Sequence, residues 1–196
     1  LDPKPYAKGT SPSAGQLGRQ ILEERLTLRN LPEQADLLGT GFTHEGLPSE
    51  DALWIEKGVL RELSYDRFTA KQHKIKRLAT LEAPCLSASG PAALKVQELI
   101  KQCERAILVT NFWYIRTVNP TDLTLTGMTR DGTFLVEDGQ ITTAVKNFRF
   151  HESPLRIFKQ VDAVTEPMEA VTSETGKMLV PAMVLRDFNF SSVTRF

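Results

Sequence analysis

The stretch Leu135-Val136-Glu137-Asp138-Gly139-Gln140-Ile141 decides the fold class. Apolar residues flank Asp138-Gly139, a pair able to take the left-handed conformations that a two-residue hairpin turn demands. The same phrase stands earlier as Trp54-Ile55-Glu56-Lys57-Gly58-Val59-Leu60, so a second hairpin is expected there. The recurrence fits an internal duplication, and equally two hairpins obeying one turn chemistry. Working outward, alternation predicts strands at 20–29, 106–112, 122–127, 133–137, 140–146, 168–172 and 179–190. A helix is expected from Pro91, after Ser89-Gly90, with Leu94, Leu99, Ile100 and Cys103 on one face. A second opens with Ser153 as cap and Pro154 first, burying Leu155, Phe158 and Val161; a short third runs from Asp66 to His73. The class is therefore α+β: a mostly antiparallel sheet of hairpins with two or three inserted helices.

Residues 1–18 are rich in Pro, Gly, Ser and Lys and read as a flexible arm or linker, leaving residues 19–196 as the folded domain. Pro32, Gly39, Gly41, Gly46 and Pro48 make 30–51 a long irregular loop. The first residue is Leu1 rather than Met, as expected of a piece of a longer protein. The chain has 196 residues, about one domain's worth. Its 24 Lys and Arg balance 24 Asp and Glu, which argues against a phosphate-binding surface that works by net charge. No apolar run approaches the length of a membrane helix. Cys85 and Cys103 form no C-x-x-C pattern and are expected as reduced thiols.

Motifs that carry chemistry are scarce. His44, His73 and His151 belong to no H-E-x-x-H pattern; His44-Glu45 is followed by Gly46-Leu47-Pro48, which cannot build the helix such a site needs. No P-loop, nucleophile elbow or dinucleotide fingerprint is present, so no catalytic or metal residue is assigned. One segment stands apart: Thr110-Asn111-Phe112-Trp113-Tyr114-Ile115-Arg116-Thr117-Val118 places three aromatics and an arginine between two predicted strands. Either these aromatics are core, or Trp113, Tyr114 and Arg116 line a cleft for an extended peptide. An arginine between Ile115 and Val118 needs an acceptor if buried, and Asp131 or Glu137 could supply it.

At these residues the chain resembles the C-terminal domain of the TldD/PmbA (TldE) family, also called modulators of DNA gyrase. The matching phrases are Glu23-Glu24-Arg25-Leu26-Thr27-Leu28, His44-Glu45-Gly46-Leu47-Pro48, the Trp54–Leu60 hairpin, Tyr65-Asp66-Arg67 and the Phe-Trp-Tyr-Ile-Arg segment. Thr126-Gly127-Met128-Thr129-Arg130-Asp131-Gly132, Val145-Lys146-Asn147-Phe148-Arg149-Phe150 and Val180-Pro181-Ala182 follow. The resemblance runs from about residue 18 to the end and is closest to a divergent branch. It implies cytoplasmic, two-domain proteins that pair as dimers. TldD-type members are zinc proteases acting on unfolded peptides. Their metal sits on an HExxxH helix of the N-terminal domain, completed by a C-terminal-domain cysteine; TldE-type partners lack these ligands.

This chain contains no HExxxH, and its 173–181 region, where the cysteine would fall, holds none. Zinc is thus expected only in a full-length protein that carries HExxxH. The expected role is peptide binding and contact with the N-terminal domain and with a homo- or heterodimer partner of TldD or TldE type. A metal-free TldE-like scaffold and a gyrase-associated regulator are the alternatives.

Overall fold

The computed structural model describes residues 2–37, 39–75, 81–90, 95–172 and 176–194. The chain divides into two compact units, Leu1–Pro91 with Glu166–Ala182, and Ala92–Thr165 with Met183–Phe196.

The first unit is built on a six-stranded sheet. Its strands are β1 (Leu26–Asn30), β2 (Ala52–Glu56), β3 (Val59–Leu60), β4 (Pro84–Ala88), β10 (Met168–Thr172) and β11 (Gly176–Val180), in the order β10-β11-β4-β1-β2-β3. All pairs are antiparallel except β11 with β4. Leu26, Trp54 and Leu60 are fully buried, each contributing about 1.5–3 kcal/mol of transfer free energy. Asn30 is buried with them because every polar atom is used. Its Nδ2 donates to the Glu50 carbonyl at 2.8 Å, and its Oδ1 accepts from the Glu82 and Ala83 amides at 3.0 and 2.7 Å. It thereby ties the start of β4 to the loop before β2.

The second unit holds a five-stranded antiparallel sheet. Here β5 (Arg105–Asn119) and β6 (Thr124–Glu137) form a long hairpin. β7 (Gln140–Ala144) and β8 (Phe148–Glu152) share the far side of β6, and β13 (Phe190–Val193) follows β8. A separate pair joins β9 (Val161–Val164) to β12 (Met183–Leu185). Val136, Phe150, Ile157, Val161 and Leu99 form its buried apolar residues.

Both expected hairpins are present, one per unit. Lys57 and Gly58 have φ of 47° and 76°, and Asp138 and Gly139 have 48° and 75°, the double left-handed pattern of a two-residue turn. A side chain at Gly58 would also meet the Leu22 carbonyl, its Cβ falling 2.4 Å away. The short helix is α2 (Arg67–His73), whose cap Asp66 accepts from the Thr69 amide at 2.6 Å. That bond, with others, holds the Asp66 carboxyl down at about 2.

Several boundaries differ from expectation for local reasons. The 20–29 strand begins only at Leu26: the Glu23 carboxylate accepts from the Arg25 amide and Nε at 2.9 and 2.6 Å, closing a turn. The helix expected from Pro91 is α3 (Val96–Lys101), where Glu98 accepts from the Lys95 amide at 2.7 Å; Pro91 and Leu94 lie outside the described residues. The second is one turn long, α4 (Pro154–Ile157), and buries Ile157. Ser153 makes no cap bond, its hydroxyl donating instead to the Asp122 carbonyl. The 179–190 strand is cut at Pro181, which has no amide to donate. Strands β4, β8 and β9 were not anticipated. Residues 2–18 carry a short helix, α1 (Pro3–Ala7), with Pro3, Ser11 and Ser13 buried. Among the described residues no helix is long and apolar enough to cross a membrane.

Candidate functional site

The aromatic segment is not a link between strands but the middle of β5, the edge strand of the second unit's sheet. The strand stays paired to β6 through irregular register, and two residues, Tyr114 and Ile115, stand opposite Gly127. Tyr114 sits in the left-handed region at φ 57°, an uncommon place for a large side chain and one that re-aims it. Gly127 answers this bulge: a Cβ there would fall 2.6 Å from the Phe150 ring and 3.1 Å from the Trp113 carbonyl. A second bulge sets Asp131 and Gly132 against Thr110.

Register assigns the side chains to two faces. Phe112 lies opposite Thr129 on the inner face, its ring 5.2 Å from that of Phe150 and 5.5 Å from that of Phe188. Below them Thr133, Thr129 and Asn147 form a hydrogen-bonded chain. Thr133 Oγ1 donates to Asn147 Oδ1 at 3.0 Å, and the Phe148 amide donates to Thr129 Oγ1 at 2.9 Å. Glu152 closes this end. Its buried carboxylate accepts from Arg156 and from the Ser153 and Asn189 amides, fixing the 187–189 turn beside Phe188. Burial pushes the Glu152 carboxyl up, but the Arg156 and amide bonds outweigh it and hold the group below its ordinary value.

The outer face carries Asn111, Trp113, Met128, Arg130, Arg149, Arg116 and His151. Trp113 and Tyr114 are 42% and 55% exposed, so the expectation that they are core fails. Each ring carries a guanidinium: Arg130 lies 4.6 Å from the Trp113 ring centre and Arg116 4.4 Å from that of Tyr114. Arg116 is exposed and donates to the Ile115 carbonyl at 2.8 Å, so the buried ion pair with Asp131 or Glu137 does not form. Asp131 instead accepts from Asn111 Nδ2 at 3.0 Å and pairs with Arg130 at 3.3 Å. The structure places Trp113, Tyr114 and Arg116 on β5, and Arg130, Arg149 and Met128 on the neighbouring strands β6 and β8. These three were visible only within quoted motifs; the missing signal was the register that aligns them.

The two thiols are free and stand in different units. Cys85 is buried beside Leu37, Ala83 and Leu179, and that burial pushes its thiol pKa up. Burial also raises Cys103, whose Sγ donates to the Leu99 carbonyl. Among the described residues no three His, Cys, Asp or Glu side chains converge as a ligand set. The His44 amide and ring face Glu82, and Glu45 accepts from the Arg67 amide at the start of α2.

The family profile of the PmbA/TldA metallopeptidase C-terminal domain matches residues 2–192. This chain belongs to that family. The match begins within the segment expected as an arm, so residues 2–18 fall inside the family domain. No curated protein matches the chain. Among solved structures it is similar to TldE from Thermococcus kodakarensis, with TM-score 0.77 and 21% identity over 98% of this chain and 44% of that one. It is also similar to a proposed modulator of DNA gyrase from Bacteroides thetaiotaomicron, with TM-score 0.76 and 21% identity over 98% and 42%. Another such protein, from Thermotoga maritima, gives TM-score 0.78 and 20% identity over 94% and 43%. These likenesses show the fold of the family's C-terminal domain. The chain spans less than half the length of each structure.

Proposed function

We propose that this chain supplies the peptide-binding surface of a cytoplasmic TldD/PmbA-type metallopeptidase that acts on unfolded peptides, and that an extended peptide pairs with the edge of β5. The observation that carries the reading is a 15-residue edge strand whose centre displays Trp113 and Tyr114 to solvent. An open strand edge offers a row of backbone donors and acceptors to another chain, independent of that chain's sequence. The exposed rings supply apolar area, and Arg116 supplies donors for carbonyl or carboxylate oxygens. Zinc hydrolysis, in a full-length protein carrying HExxxH, is assigned to its N-terminal domain, with a TldD- or TldE-like subunit as dimer partner. The zero net charge of the chain speaks against a gyrase regulator that grips DNA by charge.

Trp54 is fully buried and Trp113 is exposed, so tryptophan emission separates the two. Titrating an unfolded, tryptophan-free peptide is expected to shift the Trp113 component to the blue, and Trp113→Phe to abolish the shift. The same concentration of a peptide with backbone N-methyl groups at alternate residues should not produce it. An equal shift from the N-methylated peptide, or no binding by either, would overturn the reading.

A further inference from the structure

We infer that the peptides this surface prefers are acidic, carrying carboxylates at alternate positions of an extended segment. The inference rests on the edge-strand reading above and adds the substrate's chemistry. Three guanidiniums share the outer face of the second unit's sheet. Arg130 stands on β6 opposite Asn111, Arg149 on β8 opposite Met128, and Arg116 on β5 opposite Thr126. Arg116 stands on the strand that a peptide at the β5 edge would pair with, and Arg130 and Arg149 stand one and two strands further in, about 4.8 Å per strand, extending the same positive face; alternate side chains of the peptide would fall on that face.

These cations are poorly compensated. Among the described residues, Arg116 contacts the Tyr114 ring and one carbonyl, and Arg149 reaches the Met128 sulfur, at 3.9 Å. Asp131 pairs with Arg130 alone, and no other acidic partner of the three is present among the described residues. Arg116 and Arg130 lie over aromatic rings and each keeps further N–H groups that could donate to a carboxylate. The chain as a whole is neutral, so this local excess is a property of the face and not of composition. Basic and aromatic groups also suit single-stranded nucleic acid. The open edge of β5 decides for a peptide, because its amides and carbonyls match another backbone strand.

The test compares three fluorescein-labelled peptides that differ only at alternate positions, with Glu, Gln or Lys there, alongside a labelled oligo-dT, all by anisotropy with the chain at low salt. Binding of the Glu peptide about fivefold or more tighter than the Gln peptide, with the Lys peptide weakest, is expected. The Glu preference should shrink toward unity in 0.5 M salt and in Arg130→Gln/Arg149→Gln, checked for an unchanged melting temperature. Equal binding of all three peptides overturns the acidic preference and leaves the edge-strand reading standing. Binding of no peptide overturns both. Oligo-dT binding tighter than the Glu peptide assigns the face to nucleic acid and overturns the inference.

Discussion

Glu152→Ala removes the side chain that locks the closing turn of the second unit. The carboxylate is 4% exposed and accepts from Arg156 Nε at 2.8 Å, the Ser153 amide at 2.7 Å and the Asn189 amide at 3.1 Å. Its loss leaves two backbone N–H groups without an acceptor, at about 1–3 kcal/mol each where water cannot reach them. Arg156 is 44% exposed, so water can solvate its released charge, and it keeps its bond to the Asp187 carbonyl at 2.8 Å. The expected loss is therefore about 2–6 kcal/mol, spanning the ~3–5 kcal/mol for breaking a fully buried pair. Urea unfolding should show a lower midpoint with an unchanged slope. The same bonds set a pH dependence. The Glu152 carboxyl is held below the ordinary glutamate value in the folded state, so its stabilisation is complete above the unfolded value and lost as pH falls through the lower folded one. Glu152→Gln should flatten that part of the acid limb. A Glu152→Ala loss under about 1 kcal/mol would refute the role given to this carboxylate.

Three further outcomes are expected. Arg116→Ala should cost no more than about 1 kcal/mol in urea unfolding, since it forfeits an exposed cation–π contact and a solvent-exposed hydrogen bond to the Ile115 carbonyl, yet it should weaken peptide binding. Gly127→Ala should destabilise by about 1–3 kcal/mol by driving a methyl into the Phe150 ring, seen as a lower melting temperature. Elemental analysis after dialysis should find no stoichiometric zinc in the 196-residue chain; about one zinc per chain, lost in Cys85→Ser or Cys103→Ser, would contradict the thiol environments described above.

The hairpins and α2 were legible because their signals are local: Lys57-Gly58, Asp138-Gly139 and the Asp66 cap act within a few residues. The length of β5 was not, since Trp113 and Tyr114 read as an interruption, whereas the bulge opposite Gly127 lets pairing continue past them. Strand β4 escaped notice because Pro84-Cys85-Leu86-Ser87-Ala88 shows no alternation; it lies inside the sheet between β11 and β1. Of the candidate site, Trp113, Tyr114 and Arg116 stood out by their crowding. Arg130 and Arg149 did not, because only the pairing of three strands places them on the same face. The division into two units was equally hidden, for β10 and β11 join the first unit from late in the chain.

The central claim is that an extended peptide pairs with the edge of β5. Amide hydrogen exchange of the chain, with and without a saturating unfolded peptide, tests it most directly. The account predicts that amides between Thr110 and Val118 slow on peptide addition, while those of β13, the opposite edge of the same sheet, do not change. Protection confined to β13 or to the first unit's sheet, with β5 unaltered at saturation, would contradict it.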